Sequence, residues 1–265
     1  TNLHDDVIIT AAKNKKHIIC EKPLSGYFGE EKPDIKLIGK EITKKEMYKK
    51  VTEKINKLEK VIQENRVKFM YAENFVYAPS VTKMKAMMQT AKAPILELRS
   101  ECSHSGSIAS YSKLWSSSGG GSLMRLGSHP IGLVLHLKEF EGISKYNKPI
   151  KAKSVFAQTA NLTKTEEFLK EEKHFVVSDW QDVEDWSVII IDFEDGTKAT
   201  VFSTDISLGG VKNWVQAFTS KGLIYANITP NDTMVAYTPD KSTWADMYIS
   251  EKIETKEGWC FPSPD

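Results

Sequence analysis

The period of the hydrophobic positions changes near residue 150, and the change separates two kinds of architecture. Upstream, Val7, Ile8, Ala11 and Ala12 recur at helical spacing over residues 5–15. Asp5 and Asp6 sit in the first turn and Lys13, Lys15 and Lys16 at the far end, a distribution that suits the helix dipole. His17 to Cys20 is an apolar run of strand length, and Pro23 ends it because proline has no N–H to give a ladder. Met47, Val51, Ile55, Leu58 and Ile62 mark one face of a charge-laced helix over residues 43–64, and residues 67–72 read as a second buried strand. Strand, helix, strand is the parallel crossover unit, so residues 5–72 read as part of a doubly wound sheet. Ligands of such sheets sit beyond the carboxyl ends of the strands, where Glu21, Lys22, Glu73 and Asn74 fall.

After Pro79 the pattern predicts a helix over 80–88, a strand over 95–101, a polar Ser-rich loop, the triplet Gly119, Gly120 and Gly121, and a helix continuing to Leu137. Strand alternation then takes over at 151–159, 186–193, 197–203, 214–220, 223–227 and 234–238. The turn residues Glu194-Asp195-Gly196 and Ser220-Lys221-Gly222 predict hairpins. The expected fold is α/β: the C-terminal part of a Rossmann-type parallel sheet (1–75), followed by an α+β domain with a large, mostly antiparallel sheet (76–265).

Charge narrows the function classes. Lys and Arg number 36 against 35 Asp and Glu, a net charge of +1 that favours no polyanion, so no nucleic-acid partner is expected. No run approaches the roughly 18 apolar residues of a membrane helix, and none is expected. Cys20, Cys102 and Cys260 are odd in number and far apart, which suits reduced thiols in a cytoplasmic protein.

Neither phosphate-cradling loop, G-x-G-x-x-G nor G-x-x-x-x-G-K-[ST], occurs. Ser110 to Lys113 matches S-x-x-K only as a short pattern, and His129 with His136 lacks the further ligands of a metal site, so no metal is expected. Two places remain. Lys22, followed by proline at a strand end, is a positioned cation. Arg125 and His129 lie four apart, hence on one helix face, behind a glycine run that lets another backbone or a ligand come close. Pro130 should bend or interrupt that helix.

In order along the chain, four segments resemble the Gfo/Idh/MocA oxidoreductases. They are residues 1–24, with Cys20-Glu21-Lys22-Pro23-Leu24; Tyr71 to Phe75 with Tyr77, Ala78 and Pro79; Gly119 to Leu123 with Gly127 and His129; and Phe193 to Ala199. The resemblance implies hydride transfer from a sugar or polyol hydroxyl carbon to the nicotinamide of NAD or NADP, in a homo-oligomer formed through the antiparallel sheet. Position by position, it implies that His129 is the acid/base residue, a role for which imidazole as a side-chain type is suited near neutrality. Lys22 would lie near nicotinamide and substrate and stabilise alkoxide charge, with Glu21 and Pro23 beside it at the cofactor, while Glu73, Asn74 and Tyr77 would line the cleft.

The chain departs from that pattern twice. Arg125 stands where the family carries aspartate, which suggests a clamp for an anionic substrate. The family's glycine-rich fingerprint would precede Thr1, so the chain reads as truncated, at its C-terminal end also. A non-catalytic ligand-binding or assembly protein of the same fold, or an NAD-dependent glycosidase, are the alternative functions.

Overall fold

A computed structural model describes residues 2–228, 234–238 and 241–244. Cys260 and the closing stretch 258–265 lie outside the described residues. Helix α1 (His4–Lys13) leads into strand β1 (Ile18–Glu21); a short helix α2 (Ile38–Glu41), the long α3 (Lys44–Asn65) and strand β2 (Phe69–Ala72) follow. Thr43 starts α3 by accepting the Glu46 N–H at 3.2 Å, with the glutamate three residues on that a capping box requires. Strands β1 and β2 pair in parallel, Ile18 opposite Phe69 and Glu21 opposite Ala72, as the crossover pattern predicts. Ile8, Ala12, Ile18, Cys20 and Leu58 close the core between this ribbon and helices α1 and α3.

Helix α4 (Pro79–Ala91) begins on its proline, where a missing N–H goes unfelt, and leads to strand β3 (Ile95–Ser103). A short α5 (Trp115–Ser118), a π-helical turn (Leu123–Gly127) and α6 (Ser128–Tyr146) come next. Strand β4 (Ala152–Ala160), α7 (Glu166–Lys170), β5 (Trp186–Phe193), β6 (Lys198–Thr204), β7 (Lys212–Thr219), β8 (Gly222–Asn227) and β9 (Met234–Tyr237) complete the described elements. The large sheet runs β4-β5-β6-β3-β7-β8-β9. Every pairing is antiparallel except β3 with β6, so the expected mostly antiparallel sheet is present, with one parallel seam at its centre.

Helices α4 and α6 cover one face. Met84, Met87, Leu133 and Leu137 meet Ile95, Leu98, Ile189, Val201, Val215 and Ile224, which is why alternate residues of β5 and β6 are apolar and buried. The two sheets are joined by residues 26–42. The indole N–H of Trp115 donates to the Tyr27 carbonyl at 2.8 Å, and the Asp182 carboxylate accepts from Gly39 N–H at 2.9 Å and Trp115 N–H at 2.7 Å. No helix among the described residues is long and apolar enough to cross a membrane.

Pro130 does not interrupt α6. It lies in the helix's first turn, where its missing N–H is tolerated, and the irregularity falls in the π-helical turn just before.

Candidate functional site

Lys22 follows the last residue of β1, joined to the buried Pro23 by a cis peptide bond. The Pro23 carbonyl accepts from His4 Nδ1 at 2.9 Å, which ties the turn to α1. From that turn the Lys22 ammonium crosses to the other sheet's side and donates to the Arg125 carbonyl at 2.7 Å. Burial holds the Lys22 ammonium's pKa below its ordinary value, against the opposing pull of Glu73 and Glu21.

Glu73 lies just past the carboxyl end of β2 and is buried. It accepts the Phe75 N–H at 3.1 Å, and both its oxygens accept from His129 Nδ1, at 2.8 and 3.0 Å. Phe75 stacks on the imidazole with ring centroids 4.0 Å apart. Gly132, one turn along α6, makes this approach possible, because a Cβ there would stand 3.0 Å from Glu73 Cγ. The carboxylate therefore fixes the ring's orientation and tautomer, with Nε2 as the nitrogen left for exchange.

Arg125 turns the other way. Its guanidinium pairs with the fully buried Asp205 and lies 5.0 Å from the centre of the Trp180 ring. Burial pushes Asp205 up to about 6, with Arg125 opposing. His104 Nδ1 lies 3.6 Å from Asp205; burial, and then Arg125, hold this imidazole below its usual value. Cys102, on β3, is pushed up to about 12 by burial. The glycine triplet does admit a backbone: a Cβ on Gly121 would stand 1.8 Å from the Glu184 carbonyl oxygen, and the Glu184 carboxylate accepts the Leu123 N–H at 3.0 Å.

The structure thus brings Lys22, Glu73 and His129 together, with Glu73 touching His129 and electrostatically coupled to Lys22. Asn74 and Tyr77 stand exposed on the same short turn, Tyr77 at 75%, and Glu21 is also exposed. Arg125 and His129, four apart, take different partners. Sequence reasoning missed Asp205, His104, Trp180 and Phe75. Asp205 alone carried a signal, as an acidic residue just beyond a strand's carboxyl end. His136 accepts from Lys85 Nζ at 3.2 Å. Among the described residues no three His, Cys, Asp or Glu side chains gather as a metal set. A separate cavity of about 400 Å³ lies between α1, α3 and the 27–31 loop, away from these groups; among its charges Lys54 pairs with Asp5 and Glu30, and Lys50 with Glu31.

The family described as the GFO/IDH/MocA C-terminal domain matches residues 83–225. Among curated proteins no sequence match is found. Solved structures share the fold. An NAD-binding oxidoreductase from Klebsiella pneumoniae superposes with a TM-score of 0.64 at 16% identity over 90% of this chain and 55% of its own. A levoglucosan dehydrogenase in complex with NADH and L-sorbose gives 0.62 at 21% identity over 89% and 54%. An inositol dehydrogenase homolog from Azotobacter vinelandii, complexed with NAD+, gives 0.63 at 13% identity over 89% and 51%. The chain spans about half the length of the structures it matches.

Proposed function

The chain belongs to the GFO/IDH/MocA family, and from that premise we propose that the protein it represents is an NAD(P)-dependent oxidoreductase acting on a CH–OH group of a sugar, polyol or related small molecule. One observation carries the reading: an ammonium from the end of β1 reaches the turn that leads into α6, an imidazole stands in the first turn of α6, and the buried Glu73 carboxylate bonds the imidazole and pulls electrostatically on the ammonium. The levoglucosan and inositol relatives point to hydroxyl-rich substrates.

His129 takes the substrate hydroxyl proton at Nε2, and Glu73 stabilises the imidazolium that results. Lys22 holds the alkoxide oxygen as charge develops, and burial strengthens that interaction. NAD or NADP, when bound, supplies the acceptor for the hydride leaving the same carbon. Glu21, Lys22 and Pro23, at the carboxyl end of the parallel ribbon, fit the nicotinamide end of that group. The sequence has no glycine-rich cradle for its pyrophosphate. Asn74 and Tyr77 offer exposed hydrogen-bonding groups to substrate hydroxyls at the rim. Arg125, its guanidinium already paired with Asp205, serves the site through its carbonyl rather than as an anion clamp.

We place the division between a cofactor-side part and a substrate-side part near residue 75. The open face of the large sheet, where Phe156, Ile190 and Phe202 are exposed, suits a second copy of the chain.

The test is reduction of NAD or NADP by a panel of sugars and polyols in the full-length protein. Lys22→Ala and His129→Ala should each lower kcat by about 100-fold to 10,000-fold, the range for a lost proton-transfer or charge-stabilising group. Turnover that survives both substitutions would remove the reading.

A further inference from the structure

The Lys22 ammonium has one hydrogen-bond acceptor among the described residues, and it is a backbone atom, the carbonyl of Arg125. That carbonyl belongs to the π-helical turn Leu123–Gly127, where the regular α-helical bonding pattern is interrupted just before α6. Pro130, five residues on, has no N–H with which to close the π pattern onto Arg125. Side chains from outside the turn also hold it. On its amino-terminal side the Glu184 carboxylate accepts the Leu123 N–H. At its centre the anchor is Asp205, fully buried just beyond β6, which pairs with the Arg125 guanidinium against the face of Trp180. Asp205 is held in turn by its own N–H, which donates to the Asp185 carbonyl at 2.8 Å. The chain of contacts runs from β6 through the Arg125 side chain to the Arg125 carbonyl, and from there to the ammonium at the end of β1.

We propose that Asp205 is a positioning residue for Lys22: by holding the Arg125 guanidinium it sets the carbonyl that fixes the Lys22 ammonium in the site. The proposal rests on the oxidoreductase reading of Lys22 for its functional meaning, but the positioning itself can be measured without turnover. Asp205 is fully buried and acts through the Arg125 guanidinium it holds.

The experiment labels the lysines of the full chain with acetic anhydride and follows each by mass spectrometry. Lys60, with 73% of its side chain exposed, serves as the reactive control and Lys138, fully buried, as the control for global opening. In Asp205→Asn, Lys22 should label about tenfold faster, the size expected for losing one hydrogen bond to a charged group, while Lys138 stays protected. Asp205→Glu, which restores the carboxylate, should return Lys22 most of the way to its original rate. The double variant Arg125→Met with Asp205→Leu removes both charges and strands neither, so it keeps the test open if Asp205→Asn fails to fold; Lys22 should again label faster. Unchanged Lys22 labelling in the variants that fold overturns the proposal. So does an equal rise at Lys138, because Asp205 would then hold the core and not the ammonium.

In the full-length protein Asp205→Asn should lower kcat about tenfold with KM within about twofold, and a change confined to KM counts against positioning. If the oxidoreductase reading fails, turnover is absent in every form while the labelling contrast persists. If the positioning fails, labelling is flat whatever turnover does.

Discussion

The two sheets of this molecule bury their apolar residues very differently. In the large sheet, helices α4 and α6 cover one face completely, and residues such as Leu98, Val215 and Ala217 have no exposed surface. In the parallel ribbon, α1 and α3 cover the face of Ile18 and Cys20, but the opposite face is open, with Ile19 72% and Met70 50% exposed. The ion pairs repeat the contrast. Lys138 is fully buried between Glu141 at 2.6 Å and Asp195 at 2.8 Å, and Glu141 also holds Lys145 and the Ile95 N–H. Lys54, between Asp5 and Glu30, and Lys50, with Glu31, remain partly exposed. Parallel strands are ordinarily covered on both faces. Among the described residues no element covers the ribbon's second face, and the ribbon meets the large sheet through residues 26–42 and through Lys22.

The comparison predicts where substitutions hurt. The largest effect belongs to Lys138→Ala, which takes one of two cations from the buried Glu141 and leaves a side-chain-sized cavity in the core, and should cost about 2–5 kcal/mol in urea unfolding. Lys54→Ala should cost under about 1 kcal/mol, since its partners keep access to water. Equal costs would erase the distinction between the regions.

Next comes a pH effect at Asp205. Burial raises its folded value from 3.8 to about 6, so the folded state prefers the protonated form. The stability this confers is fully present below 3.8 and is lost as pH rises through about 6. Over that window the wild type should lose on the order of 3 kcal/mol relative to Asp205→Asn, from about two pH units at roughly 1.4 kcal/mol each. Parallel stability curves for the two proteins would contradict it.

Gly121→Ala forces a methyl group against the Glu184 carbonyl and should cost about 1–3 kcal/mol, read as a lowered Tm. A further small effect lies on the ribbon side. Thr43→Ala removes the α3 cap and should cost about 1 kcal/mol, seen as faster amide exchange in the first turn of α3 while α6 is unaffected.

Much of the fold was legible because it follows from local period. The strand predicted over 186–193 is β5 to the residue, and the strand predicted over 151–159 is displaced by one residue to Ala152–Ala160. What period cannot encode is the neighbour, so the parallel pairing of β3 with β6 inside an otherwise antiparallel sheet was invisible. The short helices α2, α5 and α7 are about one turn long, too short to show a periodic pattern. At the site, the glycine triplet announced a close approach, but its partner Glu184 lies 61 residues beyond Leu123. Spacing alone put Arg125 beside His129. A π-helical turn and a carboxylate 80 residues away drew the guanidinium inward and left its carbonyl to meet Lys22.

The bond from Lys22 to the Arg125 carbonyl spans the boundary between the lightly covered ribbon and the tightly packed sheet. The two groups of the proposed chemistry are therefore like two keys turned from opposite sides of one door. Warming or mild denaturant that loosens the weaker partner would disarm the pair while the stronger one still stands, so loss of competence should come before loss of shape.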